Sequence, residues 1–303
     1  MYFSQQIAFV AALATCASAH GVVTEIKGAN GVNMPGLTMQ DGTPRDCSTN
    51  GCGSQADTAI IRDSEIASGK ATPLGRTQGN GPVDAAVMIG AYMGGGAMPP
   101  VNKGASASVG VEDNIQMKRQ LLGGLLGGGG KGGNAGAGGL GGLLGGGGTK
   151  SNGPPEARVA AIAGAGTSSG MPTCATDGTV TMTLRQINQD GAGPFTADVD
   201  GTSGGTDEAA MQPATVVKDV PGLGIQGLSL ATNSDFEMQV MMPPGMTCDA
   251  TVAGTPNVCV MRVRNDAATG PFGGSVAFTQ GKAARKRAIA YRLKKRMELS
   301  RKN

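Results

Sequence analysis

The sequence predicts a mainly β protein, an immunoglobulin-like β-sandwich with short helices, a long Gly-rich disordered insertion and a basic C-terminal tail. Three observations predict it. Apolar and polar residues alternate over 179–184, 236–241, 258–264 and 275–280, the period of a half-buried strand. Gly, Asp and Pro turns separate these runs, as they do in a sandwich. Aromatic residues make up 3% of the chain and Trp is absent, so Val, Ala, Leu, Ile and many of the methionines must fill the core, Met being able to fill irregular gaps.

Taken in order, residues 20–27 (His-Gly-Val-Val-Thr-Glu-Ile-Lys) read as a first strand, and 28–53, rich in Gly, Asn, Asp and Pro, as loop. Asp57 is placed to cap a short helix over 58–67 with Ile60, Ile61 and Ile66 inward. Pro82 can start a second helix around 83–93, with Val83, Val87 and Tyr92 near one face. Residues 121–148 are almost entirely Gly and Leu. A stretch of that kind loses too much entropy on ordering to form a packed core, so it reads as a flexible insertion. Four strands follow: Thr179–Leu184, Phe236–Met241, Val258–Arg264 with Cys259, Met261 and Val263 on one face, and Ser275–Gln280 with Val276 and Phe278 together. The first strand and these four are expected to share one core. That makes 20–281 a single domain interrupted by 104–155, followed by a tail over 282–303; two independent domains are the alternative for 303 residues.

Charge is unevenly placed. Residues 282–303 hold ten Lys and Arg against one Glu, so a net charge of +3 for the chain leaves −6 for the remainder. An acidic body argues against nucleic acid as a partner, because such binding rests on neutralising phosphates. In the tail, Ile289, Leu293 and Met297 fall at i, i+4 and i+8. The tail reads as a solvated extension, as a basic amphipathic helix for an anionic membrane surface, or as a nuclear signal.

Residues 1–19 read as a secretory signal peptide. An apolar stretch from Ile7 to Ala14 runs into Ala17-Ser18-Ala19, a small-x-small cleavage pattern. Cleavage there makes His20 the first residue and removes Cys16, leaving Cys47, Cys52, Cys174, Cys248 and Cys259. Export favours disulfides. Proximity suggests Cys47–Cys52 and Cys248–Cys259, with Cys174 left over, although spacing alone does not fix connectivity. Zinc is a poor fit, with no Cys-x-x-Cys and one histidine. Lys118-Arg119, at the edge of the Gly-rich block, reads as a processing site or as an ordinary solvated basic pair.

His20 is the sharpest chemical feature. Cleavage would free its α-amine beside its own imidazole, a chelating pair that suits copper. An Ala-His-Gly-Val start resembles that of lytic polysaccharide monooxygenases and their copper-binding relatives. The resemblance implies His20 as a metal ligand. Those enzymes use a second histidine, which this sequence lacks, so the resemblance also argues against their activity. Asp190, Asp198, Asp200, Asp207 and Glu208 lie in a Gly-rich region that offers oxygens to calcium, but their spacing does not fit an EF-hand and Asp-Gly also favours turns. No Gly-x-Ser-x-Gly elbow and no P-loop occur.

A wider resemblance covers more of the chain. It rests on Asp41-Gly-Thr-Pro-Arg-Asp-Cys47, Gly51-Cys-Gly-Ser-Gln-Ala-Asp57, Arg185-Gln-Ile-Asn-Gln-Asp-Gly-Ala-Gly-Pro194 and Asp200-Gly-Thr-Ser-Gly-Gly205. Val220-Pro-Gly-Leu-Gly224, Cys259-Val-Met-Arg-Val-Arg-Asn265 and Gly270-Pro-Phe-Gly-Gly274 continue it. Together these are similar to the Egh-like virulence factors, fungal secreted proteins associated with the appressorium. The resemblance implies a non-catalytic role in host penetration, acting on a host or fungal cell-wall or surface component, and brings no catalytic residues with it. The alternatives are a copper-binding, monooxygenase-like protein at cell-wall polysaccharide, and retention in the appressorium cytoplasm.

Overall fold

A computed structural model of the chain describes residues 21–39, 57–77, 79–96, 147–150 and 162–301. The early strands are β1 (Gly21–Lys27), β2 (Asn33–Pro35), β3 (Ala59–Ile60), β4 (Arg76–Thr77), β5 (Gly81–Pro82), β6 (Thr149–Lys150) and β7 (Thr173–Cys174). The longer ones follow: β8 (Thr179–Gln186), β9 (Thr196–Asp200), β10 (Gln212–Lys218), β11 (Ser234–Met241), β12 (Ala250–Val252), β13 (Thr255–Arg264) and β14 (Phe272–Gln280). The α-helices are α1 (Asp63–Ala67), α2 (Ala85–Tyr92), α3 (Gly166–Ser169) and α4 (Lys282–Ser300).

The mainly β expectation holds. Among the described residues the strands form one 14-stranded sheet along the path β2-β1-β8-β11-β10-β9-β13-β14-β3-β4-β5, with β6 on β11, β7 on β14 and β12 on β13. Every pairing is antiparallel except β7 with β14. The path is continuous rather than split into two separate sheets, so the immunoglobulin-like description is not carried forward. Strand β10 makes the continuity: Gln212–Ala214 pair with β9, and Thr215–Lys218 pair with β11. The sheet then folds back on itself. Leu37 N donates to Ser275 O at 2.9 Å, and Gly274 lies so near β1 that a Cβ built on it would sit 2.9 Å from Val23 Cβ. At Gly274 the requirement is for space, not for an unusual φ.

The core follows the composition. Val23, Ile26, Met182, Leu184, Phe236, Met238, Val260, Val276 and Phe278 share one apolar cluster, which takes in the first strand and the four long strands expected from sequence. Methionines 34, 88, 182, 238 and 261 are buried in it, in the place that aromatic rings usually take. Strand β13 is buried on both faces from Val258 to Val263, not only along the Cys259, Met261 and Val263 face.

Local expectations over 57–93 need correction. Asp57 caps no helix: Ala59 and Ile60 form β3 on Gly273 and Phe272, and the helix starts only at Asp63 with Arg62 at its cap. Sheet pairing of a β-branched residue has overridden a nearby capping signal. Ile60 and Ile61 are buried, whereas Ile66 is only half-buried. Helix α2 starts at Ala85, its first turn capped by Asp84, whose side chain accepts from Ala86 N at 2.8 Å. Pro82 belongs to β5, Val83 is buried ahead of the helix, and Val87 is exposed; Ala85, Met88, Ile89, Ala91 and Tyr92 are buried. Thr149 and Lys150, assigned from sequence to the insertion, form β6 on Ser234 and Asp235.

Cys248 and Cys259 are joined by a disulfide that encloses β12 and the turn into β13. Cys174 is a buried free thiol. Cys47 and Cys52 lie outside the described residues.

Three outcomes check this architecture. Gly274→Ala should cost about 2 kcal/mol, in the range for overpacking a filled interior, while Gly95→Ala, at a residue with open space and ordinary φ, should cost under about 0.5 kcal/mol. Urea unfolding of both variants measures the difference. Replacing Cys248 and Cys259 together by Ala should remove about 3 kcal/mol for a sequence separation of 11. Cys174 should resist alkylation until the chain is unfolded.

Candidate functional site

The motif residues 185–194 and 259–274 meet at the end of the sheet where β1 begins. Strand β8 ends there at Gln186, paired with Gly21. Beyond it three loops clasp one another around Asn265. Its Nδ2 donates to Asp190 O at 2.8 Å and Ala192 O at 3.1 Å, and its Oδ1 accepts from Ala267 N and Phe272 N. One buried amide thus saturates four backbone groups from two loops, which is why Asn suits a position where an apolar residue would leave them unpaired. The third loop joins by its backbone: Ala192 N donates to Gly227 O, Gly193 N to Val220 O, and Ser229 N to Gln189 O. Gln186 Nε2 reaches Asn188 O, Ser229 Oγ and Ala231 O at 2.6–3.0 Å, while its Oε1 is buried without a partner. Arg185 grips Asp235 with two nitrogens across β8 and β11.

Glycine is required where β1 enters this clasp. A Cβ on Gly21 would stand 2.8 Å from Gly191 O, so the residue after His20 is pressed against the 187–194 loop. His20 itself, and with it the cleavage position and the copper expectation, lies outside the described residues, as do Lys118 and Arg119. Among the described residues no group of three or more His, Cys, Asp or Glu side chains is placed to hold a metal.

The acidic residues grouped by the sequence are separated by the fold. Asp198 and Glu208 both pair with Arg262, at 3.0 and 2.6 Å, and that guanidinium, only 3% exposed, also donates to Pro73 O. Asp200 organises its own turn. Burial works to raise its carboxyl, but donors from Ser203, Thr202 and Gly205 outweigh that and hold it below the usual carboxylate range. Asp207 caps the 3-10 turn Glu208–Ala210.

Asp190 is different. It is 4% exposed and its Oδ1 has no hydrogen-bond partner. Burial pushes its carboxyl up to about 7, against the lowering effects of its own backbone and the Thr269 hydroxyl. Cys174 is likewise pushed up by burial, to about 11, which makes it a poor nucleophile. Above the clasp the 219–228 loop presents Leu223 and Ile225 to solvent, 41% and 64% exposed. The loop is tied by its own backbone: Leu223 N donates to Leu228 O and Leu228 N to Ile225 O, and Gly224, Gln226 and Gly227 take positive φ. In the sequence Val220–Gly224 stands out only as part of a motif. Its signal for an exposed knuckle was two large apolar residues set in a Gly-rich turn.

A family model for Egh16-like virulence factors matches residues 18–273. The chain belongs to this family. It is 50% identical over 296 residues to the appressoria-specific virulence factor GAS2 of Pyricularia oryzae, spanning 98% of this chain and 95% of that protein. It is 36% identical over 129 residues to the appressoria-specific virulence factor GAS1 of the same species, covering 41% of this chain and 50% of that one. No solved structure matches. In this Egh16-like chain the family match takes in the whole clasp and stops before α4.

The clasp makes a pH prediction. Asp190 keeps its proton in the fold up to about pH 7, whereas an unfolded Asp ionises near pH ~3.9. Between those values the folded chain holds more protons, so stability should fall as pH rises from about 4 to about 7, by up to about 4 kcal/mol. Asp190→Asn should flatten this slope. Guanidinium unfolding of both proteins from pH 4 to 8 gives the difference, in which other titrating groups cancel.

Proposed function

We propose that this protein is a secreted virulence factor that assists a fungal appressorium in entering its host, acting by binding rather than by catalysis. The observation that carries the reading is the 50% identity, across 98% of the chain, to a protein named as an appressoria-specific virulence factor. The Cys248–Cys259 bridge supports export, since such bonds persist in oxidising compartments. The binding reading rests on the clasp. Its polar side chains go into holding loops, and what it offers to solvent is an apolar knuckle tied by its own backbone, Leu223 and Ile225. Preorganised apolar contacts of this kind suit a surface component of the host or of the fungal wall.

Gene replacement tests the role. The null strain should form appressoria but enter intact host surfaces several-fold less often, and wounding the tissue should restore lesions. Equal loss on wounded tissue would point to growth inside the host instead. A Leu223→Ser, Ile225→Ser gene should be secreted normally yet fail to complement. Mass spectrometry of the secreted chain should find His20 first. Copper-loaded processed protein, given reductant and peroxide, should release no oxidised products from chitin, cellulose or glucan.

A further inference from the structure

The helix that follows the family-matched region presents an apolar stripe that no other described residue covers. Helix α4 runs for 19 residues, Lys282–Ser300. It docks on the body through Ala284 and Ala288, which are buried, and through Arg285 and Arg292. Arg285 donates to Cys248 O and Asp249 at 2.7 Å each, and Arg292 to Thr247 Oγ1. Ile289, Leu293 and Met297 are 43%, 53% and 59% exposed. At about 100° per residue these three span about 80° of the helix, and the middle of their stripe lies about 160° from the face that Ala284 and Ala288 bury. The stripe therefore points away from the protein. Lys282, Lys286 and Arg296 fall within or beside it by the same geometry, and Lys294 and Arg301 flank its other edge.

We infer that α4 is a membrane-surface helix that seats the protein on anionic lipid bilayers, lying in the interface with Ile289, Leu293 and Met297 among the acyl chains. Charge selects this partner. Residues 282–303 carry ten basic side chains against one acidic, which complements an anionic headgroup layer, and a basic helix with an exposed apolar row is the pattern of helices that lie on membranes, Tyr291 and Leu299 being exposed off that row. A second copy of the chain would set two such basic helices against each other. A nucleic acid or a soluble acidic polymer would use the charges but leave the stripe in water. Among the described residues no helix is long and apolar enough to cross a membrane, which fits seating rather than spanning.

The position is favourable. Helix α4 begins just beyond Gln280, at the Thr179 and Met241 ends of β8 and β11, whereas Gln186, Ser234 and Phe272 mark the opposite end, where the clasp and its knuckle sit. Eight strand residues separate the two ends by about 25 Å. A bilayer bound through α4 would leave Leu223 and Ile225 free.

The test is co-sedimentation of the full secreted chain with vesicles of phosphatidylcholine alone and with 30% phosphatidylserine added (about a third of the lipid, a strongly anionic surface). The wild type should partition at least tenfold more strongly onto the anionic vesicles, and raised salt should weaken it. Ile289→Glu, Leu293→Glu and Met297→Glu combined should lose at least tenfold, with unchanged thermal unfolding because none of the three packs in the core. Lys286→Glu with Arg296→Glu should lose several-fold while keeping its helix by circular dichroism. Absence of vesicle binding, equal binding to neutral and anionic vesicles, or full binding by the triple variant would overturn the inference. So would self-association through α4, or binding to heparin or RNA that the triple variant retains while vesicles are ignored. Failure here leaves the virulence reading standing, since that is decided by the infection assay.

Discussion

The fold depends on how closely two strands far apart in sequence approach one another. Strand β1 lies against β14 with Val23 at the position a Gly274 side chain would need, and Leu37 bonds across to Ser275. That contact turns a long antiparallel ribbon into two layers with a shared interior. It gives the motif Gly270-Pro-Phe-Gly-Gly274 a physical meaning. Gly273 passes under Val263 O, where a Cβ would stand 1.9 Å away, and Gly274 makes room for β1. A core poor in aromatic rings has little volume to spare, so closeness of backbones substitutes for bulk of side chains.

Buried polar groups then fix what the apolar core leaves undetermined. Arg262, in the middle of β13, ties β9 through Asp198, the turn after it through Glu208, and the loop before β4 through Pro73 O. Asn265, three residues further on, does the same for the loops of the clasp by satisfying backbone groups. Both lie within the motif that runs from Cys259 to Asn265. Networks of this kind add specificity when every member is paired. Within the clasp itself, Asp190 Oδ1 and Gln186 Oε1 are buried without a hydrogen-bond partner, near the first residue of β1.

Strand β11 is legible because one face is buried, so its residues alternate: Phe236, Met238 and Val240 are buried while Glu237 and Gln239 are half-buried; β13 and β14 are buried on both faces, yet their apolar runs still mark them as strands. Strand β10 is not legible, since it is exposed or half-buried along its whole length and carries no alternation for the core to impose. Ala59–Ile60 was read as helix because a two-residue strand exists only through its partner, β14, which local sequence does not reveal. The acidic set failed for a related reason. Nearness in sequence suggested one cluster, but β9 and the turn after it point its members at Arg262, at backbone donors and into a separate loop. The clasp was half legible. Its motifs were visible as Gly, Asn and Asp runs, whereas the burial of Asp190 and the exposure of Leu223 depend on three loops meeting, which only the topology decides.

Charge segregation follows from the same topology. The body without residues 282–303 is acidic and the tail is strongly basic, so the tail could have collapsed onto the body along its whole length. It does not: among the described residues Arg285 pairs with Asp249 and Arg292 reaches Thr247 Oγ1, while the alanines 284 and 288 are the helix's buried side chains. Alanine at the docking face brings the helix close yet adds little apolar area, about 25 cal/mol for each Å² covered. Ile289, Leu293 and Met297 lie exposed on the outer face, and Tyr291 and Leu299 are exposed elsewhere on the helix. Weak docking on one side and an uncovered stripe on the other make α4 a segment whose burial is incomplete within its own chain. The clasp, by contrast, is closed internally and offers only its knuckle. One end of the sheet is therefore closed by the clasp and the other carries α4 with its exposed apolar residues, and the strands between them keep the two apart.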